Sequence, residues 1–344
     1  MSNKKAAFGQ KMSAMQGNAV WNRADMEQDS SWRFQLNEAA KADIHENLMR
    51  MDAEQVILKD LNPEDFPLPS MTAELAEIRA SLSTGRGLAL ISGFEVGDYT
   101  QAQAALAFYG IGLHIGVGVS QSHKGDYIGE VMDRRDVNDR RPYHNGGEFI
   151  MHRDPVDLVG LLSIRKGKQG GESRIISSAA VHNVLLEEHP ELMETLYRGY
   201  PYMRTTPDRG ETDLYTPYRM PVFKITESGE FMSHYIPGFS EFYQERDGVP
   251  KDHIEVTAQT ALKETLWHRP ELYIDMMMQP GDMQFVNNRL LMHARTDYED
   301  WPEPERFRLL LRLWLQMPEL GDIPADQQFF TNTDRAGGGI AKLI

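Results

Sequence analysis

His152-Arg153-Asp154, followed far downstream by His293 and then by Arg308, supplies two imidazoles, a carboxylate and a guanidinium. Two imidazoles and one carboxylate gathered on one face of a metal are the donor set of mononuclear non-haem iron, and they leave coordination positions open for a cosubstrate and dioxygen. Along an extended strand residues i and i+2 share a face, so His152 and Asp154 can reach one ion while Arg153 turns away. His-Arg-Asp also opens the protein-kinase catalytic loop. Pro155 follows here, and Val159 stands where that loop needs asparagine, so the kinase reading is excluded.

The second half of the chain adds context. Pro280-Gly281-Asp282 is a turn signal leading into a short apolar strand, and His293 closes the apolar run Leu290-Leu291-Met292. A lone histidine on such a strand is more often a core residue than a ligand. The following strand changes the balance. From Phe307 to Leu315 the residues alternate, with Phe307, Leu309, Leu311, Leu313 and Leu315 on one face and Arg308, Leu310, Arg312 and Trp314 on the other. A strand of this kind is buried, and a buried guanidinium needs an anion and hydrogen bonds to offset its desolvation. Internal carboxylates could provide them. A dicarboxylate cosubstrate fits equally well, because the arginine fork matches a carboxylate in bidentate fashion.

These residues resemble the taurine dioxygenase-like family of Fe(II)- and 2-oxoglutarate-dependent oxygenases. The family pattern appears in order as His152-Arg153-Asp154, Gly170-Gly171-Glu172-Ser173, Pro280-Gly281-Asp282 with Asn287-Asn288, His293-Ala294-Arg295-Thr296, and the arginine-bearing strand from Arg306 to Trp314. The likeness spans roughly residues 85 to 316. It implies a double-stranded β-helix, or jelly roll, mainly β with peripheral helices, whose mouth holds the site. It implies Fe(II) on His152, Asp154 and His293, with Arg308 on the distal carboxylate of 2-oxoglutarate and Ser173 assisting where the family often has threonine. Arg312 is similar to a position facing either the cosubstrate's other carboxylate or an acidic group of the substrate. The chemistry implied consumes O2, converts 2-oxoglutarate to succinate and CO2, and oxidises a small polar or acidic metabolite by hydroxylation, desaturation or ring closure. A small residue in place of Asp154 would have favoured halogenation. Two features depart from the pattern: Arg153 replaces a small polar residue, and Trp301-Pro302-Glu303-Pro304 lengthens the loop before Arg308.

Two other readings fit the residues. One is a jelly-roll metal enzyme that does not use 2-oxoglutarate, in which Arg308 pairs with an internal carboxylate. The other is a non-catalytic sensor that retains the pocket. Tyr143, His144, Asn145 and Glu148 precede the first ligand strand and are candidates for the pocket wall or a solvated loop, and Trp314 for pocket wall or core.

The composition suits a large enzyme. The 344 residues are 41% hydrophobic and 25% charged, enough for a sizeable core, and the motifs span both halves, so a single domain over 31–344 is expected behind an arm of residues 1–30. With no cysteine, disulfides and thiolate metal sites are excluded, leaving nitrogen and oxygen donors. A net charge of -15 argues against nucleic acid as a partner. No apolar run is long enough to span a membrane, and the basic start lacks the apolar segment of a secretory signal, so a cytoplasmic enzyme is expected, with homo-oligomerisation left open. The nineteen methionines read as packing.

Periodicity places helices from Ser30 or Ser31 to about Arg50, from Met71 to about Leu82, from Gln101 to Tyr109, from Val181 to Leu196 and near Val256 to Leu266. Short strands are expected at 87–93, 158–164 and 174–177, with a hairpin at Pro221–Ile225 and Phe231–Ile236.

Overall fold

The computed structural model describes residues 12–133, 148–203, 215–328 and 339–340. Its organising element is the Leu309–Gln316 strand, whose alternation divides two cores. Leu311, Leu313 and Leu315 join one apolar cluster, while Leu310 and Trp314 join another on the opposite face. The neighbouring strands obey the same rule: Leu158, Leu162, Met283 and Phe285 pack on the first side, Val159 and Val286 on the second. A strand buried on both faces has little room for polar side chains, so the polar ones it keeps call for a specific account.

These strands form a seven-stranded sheet ordered Arg33–Gln35, Leu88–Ser92, Met283–Asn287, Leu158–Arg165, Leu309–Gln316 and Val117–Val119, with Ile128–Val131 also paired to Leu309–Gln316. A four-stranded sheet runs Tyr273–Met276, Ser173–Ser177, Leu291–Arg295 and Phe149–His152, all antiparallel. Ile175, Leu291 and Met292 of the small sheet share the second core with Val159, Val286 and Leu310 of the large one, so the two sheets form the sandwich of a double-stranded β-helix. Helices Glu38–Arg50, Thr72–Ser83 and Gln101–Leu113 cover the other face of the large sheet. Helices Ser178–Glu188, Met193–Arg198 and Ile254–Trp267 pack their apolar residues into the core shared by the two sheets.

The turn before Met283–Asn287 shows why its sequence is Pro280-Gly281-Asp282. Gly281 has φ +90°, and a Cβ there would lie 1.8 Å from the Phe94 carbonyl oxygen. The Asp282 carboxylate accepts the Gln279 N–H at 2.7 Å and closes the turn. Asn287 donates to the Leu82 carbonyl at 2.9 Å and accepts the Arg289 N–H at 2.8 Å, tying the strand end to a helix C-terminus.

Several boundaries differ from the sequence reading. The first long helix begins at Glu38, with Asn37 accepting the Ala40 N–H, because Arg33–Gln35 is drawn into the edge of the large sheet. Ala40, Ile44 and Leu48 are buried as their spacing requires. The helix expected over 181–196 begins at Ser178 and breaks at Pro190, which has no N–H to continue it. Residues 12–30 are more than an extended arm. They carry the Arg23–Gln28 helix, bury Trp21 and Met26, and dock through Trp21 Nε1 to the Arg86 carbonyl at 3.0 Å. Among the described residues no helix is long and apolar enough to cross a membrane.

Candidate active site

His152 ends the Phe149–His152 strand and faces His293 across the antiparallel pairing with Leu291–Arg295, their ring centroids 4.4 Å apart. His152 Nδ1 lies 2.8 Å from the Ile150 carbonyl. An imidazole that donates from Nδ1 offers Nε2 as its acceptor, the arrangement of a metal ligand oriented by backbone. Asp154 lies just past the strand end with Oδ1 3.7 Å from His152 Nε2. Ligand atoms of His152, Asp154 and His293 all fall within 4.8 Å of one another, so one ion can reach all three. Arg153 turns away from them, as alternation requires, and is fully buried, donating to the carbonyls of Asp154 and Ser233.

The charge state suits a cation. Burial would raise the Asp154 carboxyl, but the Arg312 guanidinium and the Trp314 N–H help hold it below the usual carboxylate value. Burial pushes the His293 imidazole down to about 3, with His152 adding to the effect against the pull of Asp154, and burial also lowers His152. Neutral imidazoles and an ionised carboxylate are the forms that bind metal. His293 Nδ1 is buried without a hydrogen-bond partner. By contrast, the core residue His182 has both nitrogens within reach of partners, Asn183 Oδ1 at 3.1 Å and the Tyr197 hydroxyl at 2.9 Å. The triad therefore fits a divalent ion better than a satisfied core cluster.

The backbone around Asp154 is pinned from several directions. Its N–H donates to Asn288 Oδ1 at 3.1 Å, which gives the Asn287-Asn288 pair a second role, and its carbonyl accepts the Val156 N–H at 2.9 Å. Three residues on, Asp157 is fully buried and accepts Arg289 Nε at 2.8 Å and the Met317 N–H at 3.0 Å. Removing one partner of such a buried pair costs about 3–5 kcal/mol, so this clasp fixes the ligand loop against the end of the Leu309–Gln316 strand.

A cavity partly open to solvent lies over the triad. Arg295, Arg308, Arg312 and Ser173 supply its polar lining besides the triad, and Val131, Phe149 and Leu161 are among its apolar walls. Arg308 is buried, and burial lowers its guanidinium to about 10, with nearby Arg295 adding to the shift. Its Nη1 is buried without a partner, Nη2 makes only a 3.3 Å contact with the Gly171 carbonyl, and no carboxylate forms an ion pair with it among the described residues. The alternative in which Arg308 is neutralised by an internal acid thus loses its support. Gly171 lies against this side chain: at φ +82°, a Cβ there would come 2.9 Å from Arg308 Nε. The Gly170-Gly171-Glu172-Ser173 segment is locked to His293-Ala294-Arg295-Thr296 through the Thr296 hydroxyl, which accepts the N–H groups of Gly171 and Glu172 at 3.1 and 2.9 Å and donates to the Glu172 carboxylate.

Ser173 lines the cavity with its hydroxyl donated to Gln284 Oε1 at 2.9 Å. Arg312 Nε donates to Gln121 Oε1 at 2.7 Å, and its Nη1 lies 3.7 Å from Asp154 Oδ2. Sequence reasoning gave no individual role to Arg295 or Phe149, which both line the cavity and pair across the two ligand strands. It also missed the hydrogen bond from Trp314 Nε1 to Asp154 Oδ2, 2.8 Å long. Alternation placed Trp314 on the site face, but an aromatic on an apolar strand carries no sign of its donor's target. Tyr143, His144 and Asn145 lie outside the described residues, and Glu148 is exposed and not part of the cavity wall.

A jelly roll with two histidines and an aspartate converging at its mouth, beside a buried guanidinium with one unpartnered nitrogen, defines an Fe(II)- and 2-oxoglutarate-dependent oxygenase, which oxidises a small metabolite and releases succinate and CO2. The model of the taurine catabolism dioxygenase TauD, TfdA family matches residues 55–314, and the chain belongs to that family. It is 29% identical to FR-33289 synthase of Streptomyces rubellomurinus over 309 residues, covering 88% of this chain and 90% of that protein. It is 23% identical to the taurine hydroxylase-like protein SAT17 of Stachybotrys chartarum over 295 residues, covering 81% and 73%. Among solved structures, asparagine oxygenase with Fe(II), 2S,3S-3-hydroxyasparagine and succinate shares the fold at TM-score 0.61 and 14% identity, covering 86% of this chain and 98% of that one. The non-haem iron oxygenase OrfP with Fe and alpha-ketoglutaric acid also aligns at TM-score 0.61 and 14% identity, covering 83% and 93%.

Proposed function

We propose that His152, Asp154 and His293 hold the Fe(II), that Arg308 with Ser173 binds the distal carboxylate of 2-oxoglutarate, and that Arg312 and Arg295 receive an anionic group of a small substrate. The observation that carries this reading is the Arg308 guanidinium, buried beside the triad with Nη1 lacking a partner. A buried charge left in that state is costly, and a carboxylate entering the cavity would offset the cost with a charge-assisted pair. The Ser173 hydroxyl would have to turn from Gln284 to add its hydrogen bond. When bound, the iron and cosubstrate supply the oxidising chemistry, and the chain's own residues hold and orient the reactants.

The substrate assignment follows from what lines the remaining space. With Arg308 committed to the cosubstrate, Arg295 and Arg312 still face the cavity, whose other walls near them are the apolar Val131, Phe149 and Leu310. Two guanidiniums above an apolar wall favour a compact molecule with an acidic group at one end and the oxidised carbon turned toward the triad. A net charge of -15 supports a small-molecule partner over nucleic acid.

The test is succinate release from the iron-loaded protein in air, screened over amino acids, sulfonates and other small acids, each paired with a neutral analogue in which the acid is an amide. An acid should stimulate succinate formation and its amide should not. Equal stimulation by neutral analogues would remove Arg312 and Arg295 from substrate recognition, and tight ligand binding without any turnover would favour the sensor.

A further inference from the structure

The two oxygens of Asp154 have different surroundings. Oδ1 faces the triad, 3.7 Å from His152 Nε2. Oδ2 accepts the indole N–H of Trp314 at 2.8 Å and lies 3.7 Å from Arg312 Nη1. Trp314 is itself buried and held in the middle of the large sheet, its strand paired with Val159 on one side and Val119 on the other. An indole N–H is a donor only, and a buried donor released from its acceptor bears the full desolvation penalty. Because the Asp154 backbone is pinned at both ends, rotation of the carboxylate is the main freedom left, and Trp314 removes it.

That rotation decides how many positions a metal keeps. Carboxylates bind cations through one oxygen or through both. With one oxygen from Asp154 and one nitrogen from each histidine, an octahedral ion retains three positions, enough for a two-point chelate and dioxygen together. With both oxygens bound, one of these is lost.

We propose that Trp314 is a positioning residue that holds Asp154 as a one-oxygen ligand and so preserves the position dioxygen needs. The proposal rests on the triad assignment above and adds a role for a residue that touches neither cosubstrate nor cavity. Arg312 reinforces it from the same strand face.

The test compares the wild type with Trp314→Phe, and with a variant carrying benzothienylalanine at 314, which keeps the bicyclic shape but lacks the N–H. Each is loaded anaerobically with Fe(II) and 2-oxoglutarate and titrated with nitric oxide, a dioxygen surrogate read by electron paramagnetic resonance. Loss of one charge-assisted hydrogen bond predicts nitric oxide affinity weaker by roughly tenfold, about 1.4 kcal/mol, with iron retained and 2-oxoglutarate affinity changed by less than about twofold. Should Trp314→Phe fail to fold, the shape-preserving variant decides. Unchanged nitric oxide affinity in that variant would overturn the proposal, as would loss of its iron, which would mean that Trp314 secures the ligand itself and not its mode of binding. Asp154→Ala separates the proposal from its foundation: full iron retention in that variant would show the ligand assignment, and not the indole, to be at fault.

Discussion

Replacing Arg308 with methionine should separate cosubstrate binding from folding. The side chain has one terminal nitrogen buried without a partner and the other in a long 3.3 Å contact, and burial already holds its guanidinium down at about 10. In the free protein the charge has the Tyr298 ring 5.2 Å away and the Asp300 and Glu172 carboxylates nearby, but no paired carboxylate among the described residues. An apolar residue of similar length should leave the apo protein as stable as the wild type or more so, since exchanging a buried ion for a packed side chain is often neutral to favourable. Binding should respond in the opposite direction. Losing a bidentate, charge-assisted pair that forms only with the cosubstrate should cost about 3 kcal/mol, roughly a hundredfold in Kd for 2-oxoglutarate. Anaerobic titration of the Fe(II)-loaded protein, followed by the weak visible band that arises when the keto acid chelates the iron, gives that Kd directly, and thermal unfolding of the apo protein gives the control. An unchanged Kd would refute the anchor. So would a marked fall in apo stability, because it would mean that the guanidinium has an internal partner after all.

Three further outcomes are expected. His293→Ala should lose its iron at stoichiometric metal, measured after gel filtration, and a variant that kept it would remove His293 from the ligand set. Gly171→Ala forces a side chain into a left-handed backbone position at φ +82° and 2.9 Å from Arg308 Nε. It should cost roughly 1–3 kcal/mol of stability and weaken 2-oxoglutarate binding as Arg308 is displaced, whereas wild-type affinity would show that Arg308 has room to move. The third concerns pH. The Ser31 N–H and the Arg86 guanidinium lower the Asp29 carboxyl to about 2. Its stabilising contribution is therefore present above the unfolded value near ~4 and fades as pH falls toward 2. The difference in thermal stability between wild type and Asp29→Asn should be constant at neutral pH and close through that acid window, and a gap that persisted at the acid end would count against the pair.

The site was legible in sequence to the extent that its chemistry is carried by residue type and by a period of two. His152 and His293 are donors on apolar strands, Asp154 follows two residues after the first of them, and alternation from Phe307 to Leu315 put Arg308, Leu310, Arg312 and Trp314 on one face. What escaped was pairing between distant segments. Thr296 and Glu172 are ordinary polar residues until the fold joins them, and nothing local marks the Trp314 N–H as serving a carboxylate. Arg153 illustrates the same limit. Alternation turned it away from the triad, yet it ends in a buried setting where Nε and Nη1 donate to backbone carbonyls and Nη2 has no partner, which a sequence cannot display. The docking of residues 12–30 was missed because Trp21 and Met26 are isolated apolar residues without a period.

The Leu309–Gln316 strand shows why fold and site cannot be separated here. Its leucines at 311, 313 and 315 fill the helix-covered core, and the residues between them serve the cavity and Asp154. A slip of one residue would exchange the two faces, driving the Arg312 guanidinium into the helix-side core and lining the cavity with leucine. The register is therefore held on both sides: Leu158–Arg165 pairs along the strand's length, and Val117–Val119 and Ile128–Val131 share its other edge. The Asp157 carboxylate then grips the Met317 N–H immediately after the strand. The pairing shifts only between Leu309 and Leu310, beside the point where Arg308 enters the cavity. Regular pairing thus secures the core and the Trp314 contact with Asp154, and this strand's one shift in pairing falls next to Arg308, whose side chain lines the cavity.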